Sequence, residues 1–159
     1  MNYFLLFNLV PRYDIDLNFL NKQYLDLQKK IHNNNFVTQT GKVSEINLAY
    51  KVLKDPYKRA EHLLAINGFD IYFIDLKKEL DQNELKKILN LFELANNCKD
   101  RESLFKLLKR VKKDQEILIK ILSNKFAFQL FSESIYFTIK LKYICKLLDH
   151  IKQRIEYVS

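Results

Sequence analysis

The chain has 159 residues, 48% of them hydrophobic, which is enough to bury a core and excludes a disordered polymer. Only two Gly and two Pro punctuate it, too few turn formers for a many-stranded sandwich or barrel, so the composition reads as all-α. The formal charge of +8 arises from 27 Lys and Arg against 19 Asp and Glu, but these cations spread over the polar faces of nearly every expected helix rather than forming the clustered footprint of a specific nucleic-acid binder.

The opening Met1 to Phe7 has no basic leader or cleavage pattern, and no apolar run approaches membrane-spanning length. A cytoplasmic protein without membrane contact is expected. A short apolar stretch, Tyr3 to Leu9, ends at Pro11. Asp16 then caps a helix over Leu17 to His32, in which Leu20, Tyr24, Leu27 and Ile31 follow helical spacing. The polar run His32 to Asn35, Phe36-Val37 and a stretch from Thr38 to Lys42 containing Gly41 read as a loop.

Ser44 is placed to cap the next helix, with the stripe Ile46, Ala49, Tyr50 and Leu53. Asp55-Pro56 supplies a cap and first-turn residue for another, which carries Ala60, Leu63 and Leu64 and stops at Gly68. Residues 69–80 lack a period and form a connector. Three stronger patterns follow: Leu85, Ile88, Leu89, Phe92 and Ala95; then Leu104, Leu108, Val111, Leu118 and Leu122; then Phe137, Leu141, Ile144, Leu148, Ile151 and Ile155. The last steps by four and three, the mark of a helix packed against two partners, so 81–159 is expected to be a three-helix antiparallel bundle.

The chemistry-bearing residues are sparse. Cys98 and Cys145 have no CxxC or Cys/His spacing, so neither a metal site nor a disulfide is indicated and both read as small packing residues. There is no Gly-rich phosphate loop, and three scattered His offer no triad. No catalytic residue, cofactor or enzyme activity is expected. Arg59 and Glu61 are expected to make a structural ion pair or a polar contact between domains.

Several strings, at their spacings, carry an identity. Asn2-Tyr3-Phe4 with Leu6, Phe7, Leu9, Pro11, Tyr13 and Asp16 is followed by Tyr24-Leu25-Asp26-Leu27-Gln28 leading to His32. Next come Ile46-Asn47-Leu48-Ala49-Tyr50, Leu53, Pro56, Arg59-Ala60-Glu61, Leu63-Leu64 and Gly68-Phe69-Asp70. Lys109-Arg110-Val111-Lys112-Lys113 and Lys140-Leu141-Lys142-Tyr143 continue the pattern. Together these resemble the HscB family of J-type co-chaperones of iron-sulfur cluster assembly over nearly the whole chain.

The resemblance implies a J-domain hairpin over 1–68, a connector over 69–80 and a scaffold-binding bundle over 81–159. It implies two partners, the DnaK-class chaperone HscA for the first domain and the cluster scaffold IscU for the second. In place of the family's His-Pro-Asp stand His32, Asn33 and Asn34, without the stiffening Pro and the Asp charge. The segment between Phe36 and Ser44 is also shorter than in the family. His32, Asn33 and Asn34, with the basic face of Lys22, Lys29 and Lys30, are the implied chaperone contacts, and a polar helix end and a solvated helix face are their plain readings. Leu85, Leu89, Glu93 and Tyr143 are the implied scaffold contacts, and for the two leucines a place in the core is the plain reading.

Three functions follow: a co-chaperone that brings the scaffold to the chaperone and stimulates ATP hydrolysis, an adaptor that binds the scaffold without stimulation, and a basic helical nucleic-acid binder whose affinity falls steeply with salt.

Overall fold

A computed structural model describes residues 1–33, 40–71 and 80–158. Seven helices and no strand occur among the described residues: α1 (Tyr3–Leu6), α2 (Leu17–Asn33), α3 (Thr40–Lys54), α4 (Pro56–Ile66), α5 (Gln82–Asn97), α6 (Arg101–Ala127) and α7 (Phe131–Tyr157). The chain divides into two compact units, Met1–Phe69 and Asp70–Ser159. Asn34, Phe36-Val37 and most of the expected connector lie outside the described residues.

In the first unit the caps act as the sequence indicates. The Asp16 carboxylate accepts from the Asn18 and Phe19 amides at 2.9 and 3.2 Å, and Asp55 accepts from Lys58 at 2.9 Å with Pro56 in the first turn. Gly68, at φ +89°, closes α4 as a Schellman motif in which Phe69 N–H donates to Leu64 and Gly68 N–H to Ala65. One boundary differs. α3 begins at Thr40, so Gly41 lies inside the helix and Ser44 a turn into it rather than at its cap. Glycine's helix penalty is least costly in a first turn, whose amides lack intrahelical partners in any case.

α2 and α3 run antiparallel. Asn21 pairs with Tyr50 at 3.2 Å and Tyr24 with Asn47 at 2.7 Å, while the Tyr24 and Tyr50 rings stack at 4.0 Å. Phe4, Phe7, Tyr13, Leu20, Ala49, Leu53 and Leu64 are buried. Arg59 and Glu61 do not pair. Arg59, itself buried, donates to the Leu53 carbonyl at 2.7 Å and lies over the Tyr13 ring, and Glu61 accepts from the Tyr57 hydroxyl.

The second unit is an up-down-up bundle. α6 and α7 are antiparallel, with Arg101 donating to the Ile155 carbonyl at 3.1 Å, Gln115 to the Cys145 sulfur at 3.4 Å and Lys125 meeting Glu133 at 3.3 Å. α5 lies parallel to α7, because Glu84 meets Lys140 and Asn96 meets His150. The α6 stripe is buried throughout. On α7, Leu141, Ile144, Leu148, Ile151 and Ile155 are buried, but Phe137 is only half-buried. Ser134 and Thr138 are buried too, each hydroxyl donating to the carbonyl four residues back at 2.8 Å.

Candidate functional site

Two surfaces carry the residues singled out by sequence, one in each unit. On α2, Lys22, Lys29 and Asn33 recur at i, i+7 and i+11 and so share an outward row. All three are exposed, and neither lysine has an ion-pair partner among the described residues. Lys30 is exposed beside Lys29. It lines a groove of about 350 Å³ with Leu6, Leu27, Ile31, Lys42, Glu45 and Ile46. All three lysines are exposed, with Lys30 about 100° round the helix from Lys29 at the edge of that groove. His32 is exposed in the last turn of α2, and Asn33 is its final helical residue; Asn34 is not described.

The second surface is the seam between α5 and α7. Its two ends are clamped by polar contacts. At the start of α5, Lys140 donates to Glu84 at 2.9 Å, holding the Glu84 carboxyl below its usual range, and burial raises the Tyr136 phenol beside them. At the far end, Arg154 donates to the carbonyls of Ala95, Asn96 and Cys98, the last at 3.0 Å, and so satisfies the C-terminal carbonyls of α5. Between these clamps His150 bonds Asn96 at 2.7 Å and packs against the Phe92 ring at 5.5 Å.

Register then places the remaining residues. Leu85 and Leu89 precede Phe92 and Asn96 by seven, and Tyr143 precedes His150 by seven. Because the two helices are parallel, a heptad step back brings Leu85 and Leu89 to the level of Tyr143 on the flank that His150 occupies above. Leu89 is 55% exposed and Glu93 is exposed, whereas Leu85 and Tyr143 are half-buried. Leu89 is thus not a core residue. The Tyr143 ring also carries the Lys146 ammonium at 5.8 Å. The flank can bury an apolar partner against Leu85, Leu89 and Tyr143, with charge at its edge.

Sequence reasoning missed a groove on the opposite flank of α5. About 480 Å³ in volume, it runs between α5 and α6 over a floor contributed by α7, with Ile88, Leu91, Ile117, Leu118, Ile121, Phe137 and Ile144 in its lining. Its signal was present in α6, where Ile117 and Ile121 fall outside the core stripe. No group of three or more His, Cys, Asp or Glu residues suited to a metal occurs among the described residues.

No protein-family model matches the sequence. Curated relatives do. The co-chaperone protein HscB homolog of Vibrio campbellii is 32% identical over 165 residues, covering 96% of this chain and 95% of that protein. The corresponding protein of Aliivibrio salmonicida is 30% identical, with 96% of each chain covered. The chain belongs to the HscB family of co-chaperones. Its fold agrees with solved HscB structures: the Vibrio cholerae chaperone HscB superposes with a TM-score of 0.82 at 29% identity over the full length of both chains. Human co-chaperone HscB, at 22% identity, shares the fold with a TM-score of 0.84 over 96% of this chain and 81% of that one. As an HscB homologue the protein is a co-chaperone rather than an enzyme. No described helix is long and apolar enough to cross a membrane.

Proposed function

We propose that this HscB homologue works in the cytoplasm in iron-sulfur protein maturation, binding an IscU-like scaffold through the α5–α7 flank and bringing it to an HscA-like DnaK-class chaperone. The reading is carried by exposed Leu89 and half-buried Leu85 on α5, which the parallel register of α5 and α7 sets level with Tyr143, in a chain related to HscB proteins along nearly its whole length. A single exposed leucine is ordinary on a protein surface, so it is the grouping with Leu85 and Tyr143 that supports docking; burying Leu89 in a complex would contribute roughly 1.5–3 kcal/mol. The outward α2 row of Lys22 and Lys29 supplies a cationic, salt-sensitive contact for the chaperone, and His32 stands at its end.

A second reading is supported by the end of α2. Asn33 is helical, and in the register that the resemblance implies it stands for the family's loop proline and Asn34 for its aspartate, a neutral amide for a carboxylate. On that reading the protein binds the scaffold and no longer triggers ATP hydrolysis. Single-turnover hydrolysis by the matching chaperone, with scaffold present, separates the two. Stimulation by the wild-type chain that His32→Ala abolishes supports the full co-chaperone. Stimulation absent while Leu89→Ala weakens scaffold binding about tenfold supports the adaptor. No complex with either partner removes both.

A further inference from the structure

The groove between α5 and α6 lies outside the proposed scaffold flank. Lys87 stands on one wall and Arg110 on the other, both exposed and neither within ion-pair distance of a described carboxylate. A third cation, Lys140, is already held by Glu84, and Asp114 is the second acid of the lining. The floor is apolar: Ile88, Leu118 and Ile144 are buried, Leu91, Ile121 and Phe137 are half-buried, and Ile117 is 56% exposed at the mouth.

We propose that this groove is a docking site for an amphipathic helix with acidic flanks, contributed by a partner protein. Three features fit that occupant. The two walls are helices, and an apolar channel between two helices accepts the i, i+3/i+4, i+7 anchors of a third. The volume of about 480 Å³ suits a few leucine-sized side chains, within the range of about 300–1,000 Å³ usual for binding pockets. Above all, Lys87 on the α5 wall and Arg110 on the α6 wall are exposed and without an ion-pair partner among the described residues, so carboxylates at two levels on the two edges of an incoming helix find partners there. A basic-flanked helix is disfavoured by the same charges. Docking here leaves Leu89 and Tyr143 free, so the groove and the proposed scaffold flank are engaged independently.

The test uses the full chain and a labelled synthetic helix of roughly 14 residues, four turns, with Leu anchors at i, i+4 and i+7 and Glu along both edges. Its counterparts carry Lys edges or a scrambled anchor pattern. Binding of the Glu-edged helix by fluorescence anisotropy, with shifts confined to the methyl signals of the groove isoleucines, is the expected result. The Lys-edged and scrambled helices should bind at least about tenfold more weakly. The double variant Lys87→Glu/Arg110→Glu should reverse the preference, and Ile117→Asp should abolish binding; all three positions are exposed, so folding is retained. Scaffold affinity should stay unchanged in both variants, which separates failure here from failure of the co-chaperone reading. Equal binding of the two edge types, insensitivity to the charge reversal, or no binding at low salt would overturn the proposal. So would dimerisation of the chain through the groove, or saturable binding of palmitate that Ile117→Asp removes, in the absence of helix binding.

Discussion

His62 in α4 holds α1 through a backbone contact. The Tyr3 amide donates to its Nε2 at 3.1 Å, and the Tyr3 ring stacks on the imidazole at 4.4 Å. Nε2 is therefore an acceptor, and protonation would convert it into a donor facing another donor. Burial, followed by the nearby N-terminal ammonium, lowers its pKa from the ordinary 6.5. The sign follows from linkage. The unfolded chain takes up this proton at higher pH than the folded one, so the contribution is complete above about 6.5 and is lost as pH falls from there through the folded pKa. Chemical denaturation between pH 7.5 and 5 should show a declining midpoint that His62→Gln flattens. A wild-type midpoint constant over that window would contradict the role given to His62. The carboxylates do not confuse this result, because Glu84 and Asp100 are lowered from 4.5 and 3.8 and their contributions vanish only in stronger acid.

At the scale of the helix, the proposed chaperone contact turns on the end of α2. Asn33 supplies a helical N–H that proline lacks, and proline also biases its predecessor away from the helical region. Replacing Asn33 by Pro and Asn34 by Asp should therefore release His32 from the last turn and restore an ionised acceptor for a chaperone arginine. A charged hydrogen bond is worth roughly 1.5–3 kcal/mol, so stimulation by the double variant should rise, with affinity increasing about tenfold or more. A folded, scaffold-binding double variant that stimulates no better than wild type would show that the contact is made elsewhere. Most helices were legible because their signals are local: Asp55-Pro56 and Gly68 act through hydrogen bonds within a turn or two. The stripes of α6 and most of α7 were legible because helices packed in a bundle repeat their burial every three or four residues. What escaped was set by distant chain. The start of α3 at Thr40 precedes the cap pattern at Ser44, and the helix runs through Gly41. Leu89 belongs to the apolar pattern of α5 yet is exposed, because α5 buries its Ile88–Ala95 side and sequence cannot say which edge of an apolar stripe lacks a neighbour.

For the whole molecule, the proposed function assigns to the two units tasks that place opposite demands on a surface. On that proposal, a chaperone contact made by exposed lysines would be favoured by fast, salt-sensitive association, whereas a scaffold contact made by Leu85, Leu89 and Tyr143 would gain from apolar burial and slow release. The second unit has the means to stand alone. Leu104, Val111, Leu122, Leu147 and Ile151 are fully buried, Arg154 closes one end of the α5–α7 seam, and the Glu84–Lys140 pair closes the other. A small unit of this kind is marginal by surface-to-volume scaling, so those clamps matter to its uniqueness as well as its stability. Residues 70–159 expressed alone should therefore give a helical circular-dichroism spectrum and unfold cooperatively in urea. The fragment should bind the scaffold within about threefold of the full chain, a difference under 1 kcal/mol, and leave the chaperone's ATP hydrolysis at its basal rate. Loss of cooperativity would mean that the bundle depends on the first unit for its order. Cooperative unfolding with scaffold binding lost would instead place part of the scaffold surface on residues 1–69, and the seam between α5 and α7 would no longer suffice as the docking site.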